Sequence, residues 1–203
     1  MPVNQNDPRV KRTRQLLLQS FMELLEQKKN IYSISVQDIT DRATVNRATF
    51  YAHFEDKYAF LECWMRGKFQ RKLELELPSS SISNMSSLRT LIQIVFDFLA
   101  RTRQYMIRTP ENSRYEPLFE SAIHKELYQL LFTWLSVEAR TPVSKKVVEP
   151  TALVISWGIL GTAIHWSRNP QNRSADAMVR EVLVVVAAGL APVLEEPQKD
   201  IPL

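Results

Sequence analysis

The chain has a single cysteine, Cys63, so it cannot form an internal disulfide. It contains no C-x-x-C pair and no Cys/His cluster, which argues against a structural zinc site and favours the reducing cytoplasm. Glycine is also scarce, with four among 203 residues. The rest of the composition is rich in Leu, Ala, Arg and Glu, which favours helices over sheets.

The motifs of common catalytic sites are missing as well. There is no Gly-rich phosphate loop, no G-x-S-x-G and no H-E-x-x-H. Glu120 and His124 lie four residues apart and could form a metal site with His165. Without a second close pair, a salt-bridging Glu and structural His residues fit better. We therefore expect no enzyme, metal or cofactor, although an all-α enzyme built from dispersed residues stays an alternative.

Long hydrophobic runs are few. The first 14 residues carry charge but no apolar core of a signal peptide. Residues 151–166 are apolar apart from His165 and small hydroxyls, but this run is too short to cross a bilayer. We interpret it as a helix buried on several sides, and we expect no membrane partner.

Charge is distributed unevenly. Residues 1–72 contain 13 basic and 8 acidic side chains, a net charge of +5, whereas residues 73–203 contain 13 and 14, a net charge of −1. A basic end can bind phosphates, although many basic surfaces serve only solubility.

Residues 35–57 are the most informative stretch, because they predict two short helices joined by a tight turn and followed by a third. Ser35 and Asp38 have capping-box spacing, so a helix should begin at Val36. Its apolar residues recur at helical spacing and predict one buried face, formed by Val36, Ile39 and Ala43.

A second helix is predicted to begin near Asn46, with Val45, Phe50 and Phe54 buried. Its outer face would then carry Arg47, Ala48, Thr49, Tyr51, Ala52 and His53. This mixture suits the DNA major groove: Arg reads guanine edges, Ala allows close approach, and Thr, Tyr and His reach phosphates. The alternative is a solvated amphipathic helix on an all-α core.

Residues 43–61, ATVNRATFYAHFEDKYAFL, resemble the signature of the tetracycline-repressor (TetR) family of bacterial transcription regulators. In that family a helix-turn-helix ends in a Thr-hydrophobe-Tyr-x-His-Phe stretch followed by a Lys. The matching residues here are Thr49, Phe50, Tyr51, His53, Phe54 and Lys57. Thr44 and Ala48 stand where the family often has Gly. A β-branched Thr44 would be strained at positive φ.

The resemblance implies an all-α fold, with an N-terminal three-helix helix-turn-helix domain and a C-terminal helical domain for ligand binding and dimerisation. We place the DNA-binding domain at 1–57, a connecting helix at 58–78 and the C-terminal domain at 79–203. The implied function is a sequence-specific transcriptional regulator, by family habit a repressor, that binds a near-palindromic operator as a homodimer and is released by a small molecule. A structural helical dimer without DNA binding is a further alternative.

The predicted DNA-binding residues include two for base readout, Gln37 and Arg47, and one that the family resemblance places near the DNA backbone, Lys57. The full set is Gln37, Asn46, Arg47, Ala48, Thr49, Tyr51, His53 and Lys57.

Other helices follow from caps and periodicity. Asp7 and Pro8 predict the start of a first helix that ends near Lys28, and Asp56 caps one that begins at Lys57. The buried stripe of this later helix is predicted to be Tyr58, Leu61, Met65, Phe69 and Leu73. Further helical runs are predicted at 86–109, 116–140, 147–168 and 174–195, with loops at 112–114 and 141–144.

The last two runs are too apolar all round for ordinary surface helices. They predict a four-helix bundle with a second copy, as the resemblance also implies; a buried monomer core is the alternative. Aromatic and polar groups on the middle helices are effector candidates, although such residues also form plain cores. The effector candidates are Phe96, Tyr105, Phe119, Tyr128, Phe132, Trp134, Trp157 and His165.

Overall fold

The computed structural model describes residues 7–77, 82–106, 109–169 and 173–194, and within these ranges it contains helices and no strand. The predicted all-α class is confirmed. The side chains of Tyr105, Met106 and Val143 lie outside the description. The helices are α1 Pro8–Lys28, α2 Val36–Arg42, α3 Arg47–His53, α4 Lys57–Glu76, α5 Met85–Met106, α6 Pro110–Ser113, α7 Glu116–Glu138, α8 Pro142–Arg168 and α9 Ala175–Leu194.

The chain forms two compact units. Unit 1 comprises Met1–Arg66 and Arg103–Phe119, and unit 2 comprises Gly67–Thr102 and Glu120–Leu203. The boundaries between the units fall within α4 and α5 and inside α7. The division into functional domains at residues 57 and 78 stays a prediction.

Unit 1 is built around the mutual packing of α1, α2 and α3. Phe21, Phe50 and Phe60 are fully buried, and their rings meet edge-on or tilted, with the Phe21–Phe60 and Phe50–Phe60 centroids each 5.4 Å apart. Such aromatic pairs contribute about 0.5–1.5 kcal/mol beyond the burial of their area. The cluster therefore holds the short helix α3 against the longer α1 and α4.

The predicted helix starts at Pro8, Val36 and Lys57 are confirmed. Asp7 accepts a hydrogen bond from Arg9 N at 2.8 Å, which satisfies one amide of the first turn of α1. At the start of α4, Asp56 accepts from Ala59 N at 2.7 Å.

Two predicted loops are wrong. Residues 141–144 do not form a loop, because Thr141 and Ser144 make a reciprocal capping box with Pro142 at the first helical position, and α8 begins there. Residues 112–114 overlap a single helical turn, α6, which Thr109 caps by accepting from Asn112 N. Both starts are marked by caps that lie before the apolar repeats of the sequence.

The predicted buried stripe of α4 needs one correction. Leu61, Met65 and Phe69 are fully buried, and Leu73 is 8% exposed, as expected. Tyr58, however, is 56% exposed, and its ring lies tilted against Tyr115 with centroids 5.8 Å apart. The phenol body is covered by another ring while its hydroxyl reaches solvent, which is common for tyrosine.

In unit 2, α8 and α9 pack on each other. Val179, Val186 and Leu190 of α9 are buried, and a Cβ added to Gly189 would lie 2.9 Å from Ile155 Cδ1, so this glycine permits close approach of the two helices. By length and composition alone, segments Ser144–Arg168 and Ala175–Leu194 could each cross a membrane, with mean hydropathies of 1.6 and 2.0. Core helices of soluble proteins pass the same test.

Candidate nucleic-acid interface and effector site

The first helix of the helix-turn-helix is fixed by a complete capping box. Asp38 N donates to Ser35 Oγ at 3.0 Å, and Ser35 N donates to Asp38 Oδ2 at 2.7 Å. These bonds from Ser35, together with Lys28 at 3.1 Å, lower the pKa of Asp38 to about 2. A charged carboxylate therefore stays at the positive end of α2 across the physiological pH range.

The turn between α2 and α3 contains a strained residue. Thr44 has a φ of 53°, in the left-handed region, and its N donates to Asp41 O at 3.2 Å. A β-branched side chain is disfavoured in this region. The packing around the turn must therefore offset the energetic cost of the conformation. Val45 N, which donates to Thr40 O at 3.0 Å, helps to hold the turn.

The second helix is anchored by its cap and by its buried face. Asn46 Oδ1 accepts from Thr49 N at 2.8 Å and from Thr49 Oγ1 at 2.9 Å. Phe50 is fully buried and Phe54 is 4% exposed, as predicted. Asn46 and Thr49 thus position α3, and their predicted contacts with DNA stay predictions.

The exposed face of α3 presents a linked pair of side chains. Arg47 Nη2 donates to Tyr51 OH at 3.1 Å, and the guanidinium lies 5.7 Å from the centroid of the Tyr51 ring. Tyr51 is 46% exposed, and Ala48 and Ala52 beside the pair are also exposed. This face combines a guanidinium group, a phenol and two small alanine side chains. This combination suits a helix that reads the major groove.

Gln37 and His53 flank this face on two different helices. Gln37 is exposed, and its Nε2 donates to Asp41 Oδ1 at 2.6 Å. His53 is half-buried, and burial lowers its pKa, with a smaller contribution from the nearby charge of Arg14. At neutral pH this imidazole is uncharged, so it can hydrogen-bond a phosphate but does not pair with it as a cation.

Lys57 is held within unit 1. Its Nζ donates to Ile31 O at 2.9 Å and lies 5.4 Å from the centroid of the Tyr115 ring. Burial lowers the pKa of Lys57 to about 8, against a smaller opposing effect of Asp38. The side chain therefore braces the loop before α2, and its approach to the DNA backbone stays a prediction.

The predicted effector residues fall into several environments. Phe96 and Phe119 are buried in the cores of unit 2 and unit 1 respectively, whereas Trp157 and His165 are exposed on α8. Tyr128 and Phe132 are half-buried and stack along α7 with ring centroids 5.8 Å apart. The side chain of Tyr105 lies outside the described residues. Their roles in effector binding stay predictions.

His124 joins α7 to α8 by two contacts. Its Nε2 lies 3.0 Å from Ser156 Oγ, and its ring stacks on Trp157 with centroids 3.9 Å apart. Burial lowers the pKa of His124, so the ring is neutral at pH 7. Glu120, the other residue considered as a metal ligand, pairs with Arg168. Among the described residues, no three potential ligands cluster as a metal site.

Trp134 is the one predicted effector residue that lines a cleft of about 460 Å³ in unit 2. The other walls come mostly from α7 and include Glu126, Leu130 and Glu138, none of which we predicted from the sequence. Residues 126, 130, 134 and 138 are four positions apart in the sequence. This spacing places them along one side of a helix and could have indicated that they line the same surface.

A family model described as bacterial regulatory proteins of the tetR family matches residues 22–62. This range includes all of α2 and α3 and the start of α4. An uncharacterized HTH-type transcriptional regulator, YxbF of Bacillus subtilis (strain 168), is 40% identical over 58 residues. The matched segment is 29% of this chain and 15% of the length of YxbF.

The chain is also similar to two solved structures. The fatty acid degradation regulator FadR from Bacillus halodurans is 17% identical, with 92% of this chain and 98% of that chain covered and a TM-score of 0.47. FadR from Bacillus subtilis, in complex with stearoyl-CoA, is 19% identical, with 86% and 98% covered and a TM-score of 0.48. At these values neither likeness carries an argument about what this chain binds.

Proposed function

We propose that this chain, whose residues 22–62 match the model of the tetR family of bacterial regulatory proteins, is a cytoplasmic transcriptional repressor. It binds a near-palindromic operator as a homodimer and is released by a small-molecule effector. The observation that carries the proposal is the exposed Arg47–Tyr51 pair on α3, a helix whose opposite side is anchored by the buried Phe50. Because the family is one of regulators, we propose no enzymatic reaction.

The roles of the DNA-binding residues follow from their positions. Arg47 offers two parallel N–H donors to a guanine edge, and exposed Ala48 allows the helix to approach the bases. Tyr51 and His53 contact phosphates. Gln37 reads a base at the edge of the site, after its amide exchanges Asp41 for DNA.

Homodimerisation is proposed through α8 and α9, because their apolar side chains are only partly covered within one protomer. Val154, Val184 and Val185 are 68%, 71% and 72% exposed, and Trp157 is 51% exposed. Large apolar side chains exposed on two packed helices are typical of an interaction site. A twofold pairing of the two helices would cover these side chains, and an operator read by such a dimer has half-sites about 34–36 Å apart, one turn of DNA.

The test is to select bound fragments from the source genome with the purified full-length chain. We expect enrichment of a near-palindromic sequence, and an affinity for it that falls steeply as the salt concentration rises, because phosphate contacts release counterions. Failure to retain any duplex at low ionic strength would overturn the proposal. Flotation of the chain with lipid vesicles in a parallel assay would instead assign the apolar faces of α8 and α9 to a membrane.

A further inference from the structure

Arg14 connects three helices of unit 1 at the C-terminal end of α3. It belongs to α1 and is half-buried. Its Nη2 donates to Cys63 Sγ of α4 at 2.9 Å. Its guanidinium carbon lies 4.6 Å from the centroid of the Phe54 ring, on the residue that directly follows α3. These two contacts fix the guanidinium beside the end of the predicted reading helix.

Within the described part of the chain, no carboxylate pairs with Arg14. The sulfur of a cysteine is only a weak acceptor, and an aromatic ring attracts a cation only through its quadrupole. The C-terminal end of α3 adds partial negative charge, but not a full counterion. A half-buried cation in such surroundings has lost part of its hydration without gaining an anion, so this position favours the binding of an anion.

His53 lies against the same aromatic ring. The centroids of the His53 and Phe54 rings are 6.4 Å apart. Burial lowers the pKa of His53, and the nearby charge of Arg14 lowers it further, so the two side chains are neighbours. The imidazole offers one N–H donor, and the guanidinium keeps the N–H groups that Cys63 does not use. Together they offer hydrogen-bond donors from two side chains and one positive charge.

The location of this pair matches the position of a DNA backbone. His53 is the last residue of α3, the helix whose exposed face carries Arg47 and Tyr51. A helix that reads base edges lies between the two backbones that border the groove, so residues at its ends meet phosphates. A guanidinium forms strong charge-assisted hydrogen bonds with phosphate oxygens.

We propose that Arg14 and His53 form one phosphate-binding site, which holds a phosphate of the operator backbone. Arg14 supplies the positive charge, and His53 supplies a second hydrogen bond. Phe54 is the surface on which the guanidinium packs, and Cys63 Sγ fixes its orientation. The assignment to operator DNA rests on the proposed function, because it takes α3 as the reading helix. It adds a residue of α1 to the DNA-binding set.

The first test measures operator affinity against salt concentration with full-length variants. Arg14→Met keeps an unbranched apolar stem over Phe54 and removes the charge. We expect it to weaken operator binding about 10- to 100-fold at physiological salt. The slope of log affinity against log salt should fall by about 2, because the homodimer loses two phosphate contacts. Arg14→Lys restores the charge and should recover most of the slope. An unchanged slope in Arg14→Met would overturn the proposal.

A double-mutant cycle tests whether the two side chains share one phosphate. Arg14→Met combined with His53→Ala should weaken binding by less than the product of the two separate losses, since both variants disturb the same contact. Arg12→Met is the matched control, because Arg12 is exposed on the same helix and two positions away, on another side. Its effect should multiply with that of His53→Ala. Independent effects of Arg14→Met and His53→Ala would show that no phosphate is shared.

The third test needs no DNA. Sulfate, as the probe, is titrated into the full-length chain at constant ionic strength, and the ring signals of His53 are followed by NMR. The chain has three histidines, and the His53 signals are assigned from their loss in His53→Ala. We expect a saturable shift in the wild-type chain and in Arg12→Met, and binding weakened at least about tenfold in Arg14→Met. Absence of a saturable shift, or the same affinity in Arg14→Met, would overturn the site.

The salt and sulfate tests separate this site from the proposed function. If the wild-type chain binds operator and Arg14→Met leaves the salt slope unchanged, the proposed function stands and this site fails. If sulfate binds as expected but no duplex is retained at low ionic strength, the phosphate-binding site stands and the proposed function fails.

Discussion

Asn112 and Tyr32 are 80 positions apart in the sequence and are joined by a hydrogen bond: Tyr32 N donates to Asn112 Oδ1 at 3.1 Å. Asn112 belongs to the single turn α6 and is 2% exposed, whereas Tyr32 lies in the loop that leads into α2. The amide side chain of Asn112 therefore fixes the entry to the helix-turn-helix from a distant segment of unit 1.

Replacing this side chain should loosen that loop. Asn112→Ala is expected to lower the free energy of unfolding by about 1–2 kcal/mol, because the Tyr32 amide then retains only its contact with Asn30. Hydrogen exchange at Tyr32 N should accelerate. Ser113→Ala, at the exposed neighbouring position, serves as the control for urea denaturation and for exchange. Equal exchange rates in the two variants would mean that Asn112 does not hold the loop.

The Arg47–Tyr51 contact predicts that these residues act together on DNA. Arg47→Ala should cost about 1–3 kcal/mol of operator binding and should relax sequence preference at one position. Tyr51→Phe, which removes the hydroxyl that Arg47 contacts, should weaken binding less. The double variant should lose less than the sum of the two, because each residue helps to orient the other. A uniform loss over all sequences in Arg47→Ala would instead make Arg47 a phosphate contact.

The positive φ of Thr44 predicts a stabilising substitution. Thr44→Gly should raise the free energy of unfolding by about 0.5–1 kcal/mol. Glycine adopts this conformation without steric cost, and the relief of strain exceeds the destabilisation that comes from the larger conformational entropy of glycine in the unfolded chain. Thr44→Ala retains a Cβ and should give no such gain. Urea denaturation of the three proteins measures the difference. A loss of stability in Thr44→Gly would show that the turn carries little strain.

The lowered pKa of Asp38 predicts a specific loss of stability in acid. The folded-state pKa of about 2 lies below the ordinary value of 3.8, so the unfolded chain binds a proton more readily. The contribution of Asp38 is complete above pH 3.8 and is lost as the pH falls towards 2. Asp38→Asn should flatten the pH dependence of unfolding in this window. An equal acid slope in wild type and Asp38→Asn would contradict the expectation.

The proposed dimer interface predicts the effect of added bulk on α8. A Cβ on Gly161 would meet no atom within 4 Å in the protomer, so Gly161→Leu should fold normally. It should nevertheless shift the dimer towards monomer in sedimentation velocity, since a close helix approach between protomers cannot hold the larger side chain. Gly67→Leu, at a position on α4 that is also open, is the matched control. A normal dimer for Gly161→Leu would move the interface elsewhere.

Local signals explain why the helix-turn-helix was predictable. Capping residues act on amides two or three positions away, so Ser35, Asp38 and Asn46 specify the starts of α2 and α3 from within a few residues. The periodicity of Phe50 and Phe54 then specifies which face of α3 is buried. The same local signal is present at Pro142, where Thr141 and Ser144 form a capping box, but the predicted helix began at Val147.

The cleft could not be predicted in this way. Trp134 was predicted as an aromatic effector residue, but whether its N–H meets an acceptor among the described residues depends on which atoms of other segments surround it. The pairing of Gln70 with Glu126 likewise joins side chains 56 positions apart. Such contacts depend on how whole helices pack against one another. The periodicity of a single segment gives no information about that packing.

The sequence by itself determined the helical class, the starts of α2, α3 and α4, and the set of residues on the outer face of α3, because caps and apolar spacing act over one or two turns. Only the tertiary structure decided that Lys57 is held by Ile31 O, that Asn112 fixes the loop at Tyr32, and that Glu126 and Glu138 share a cleft with Trp134. These relationships join residues that are distant along the chain or that meet only once helices pack, and short-range propensities carry no information about such distances.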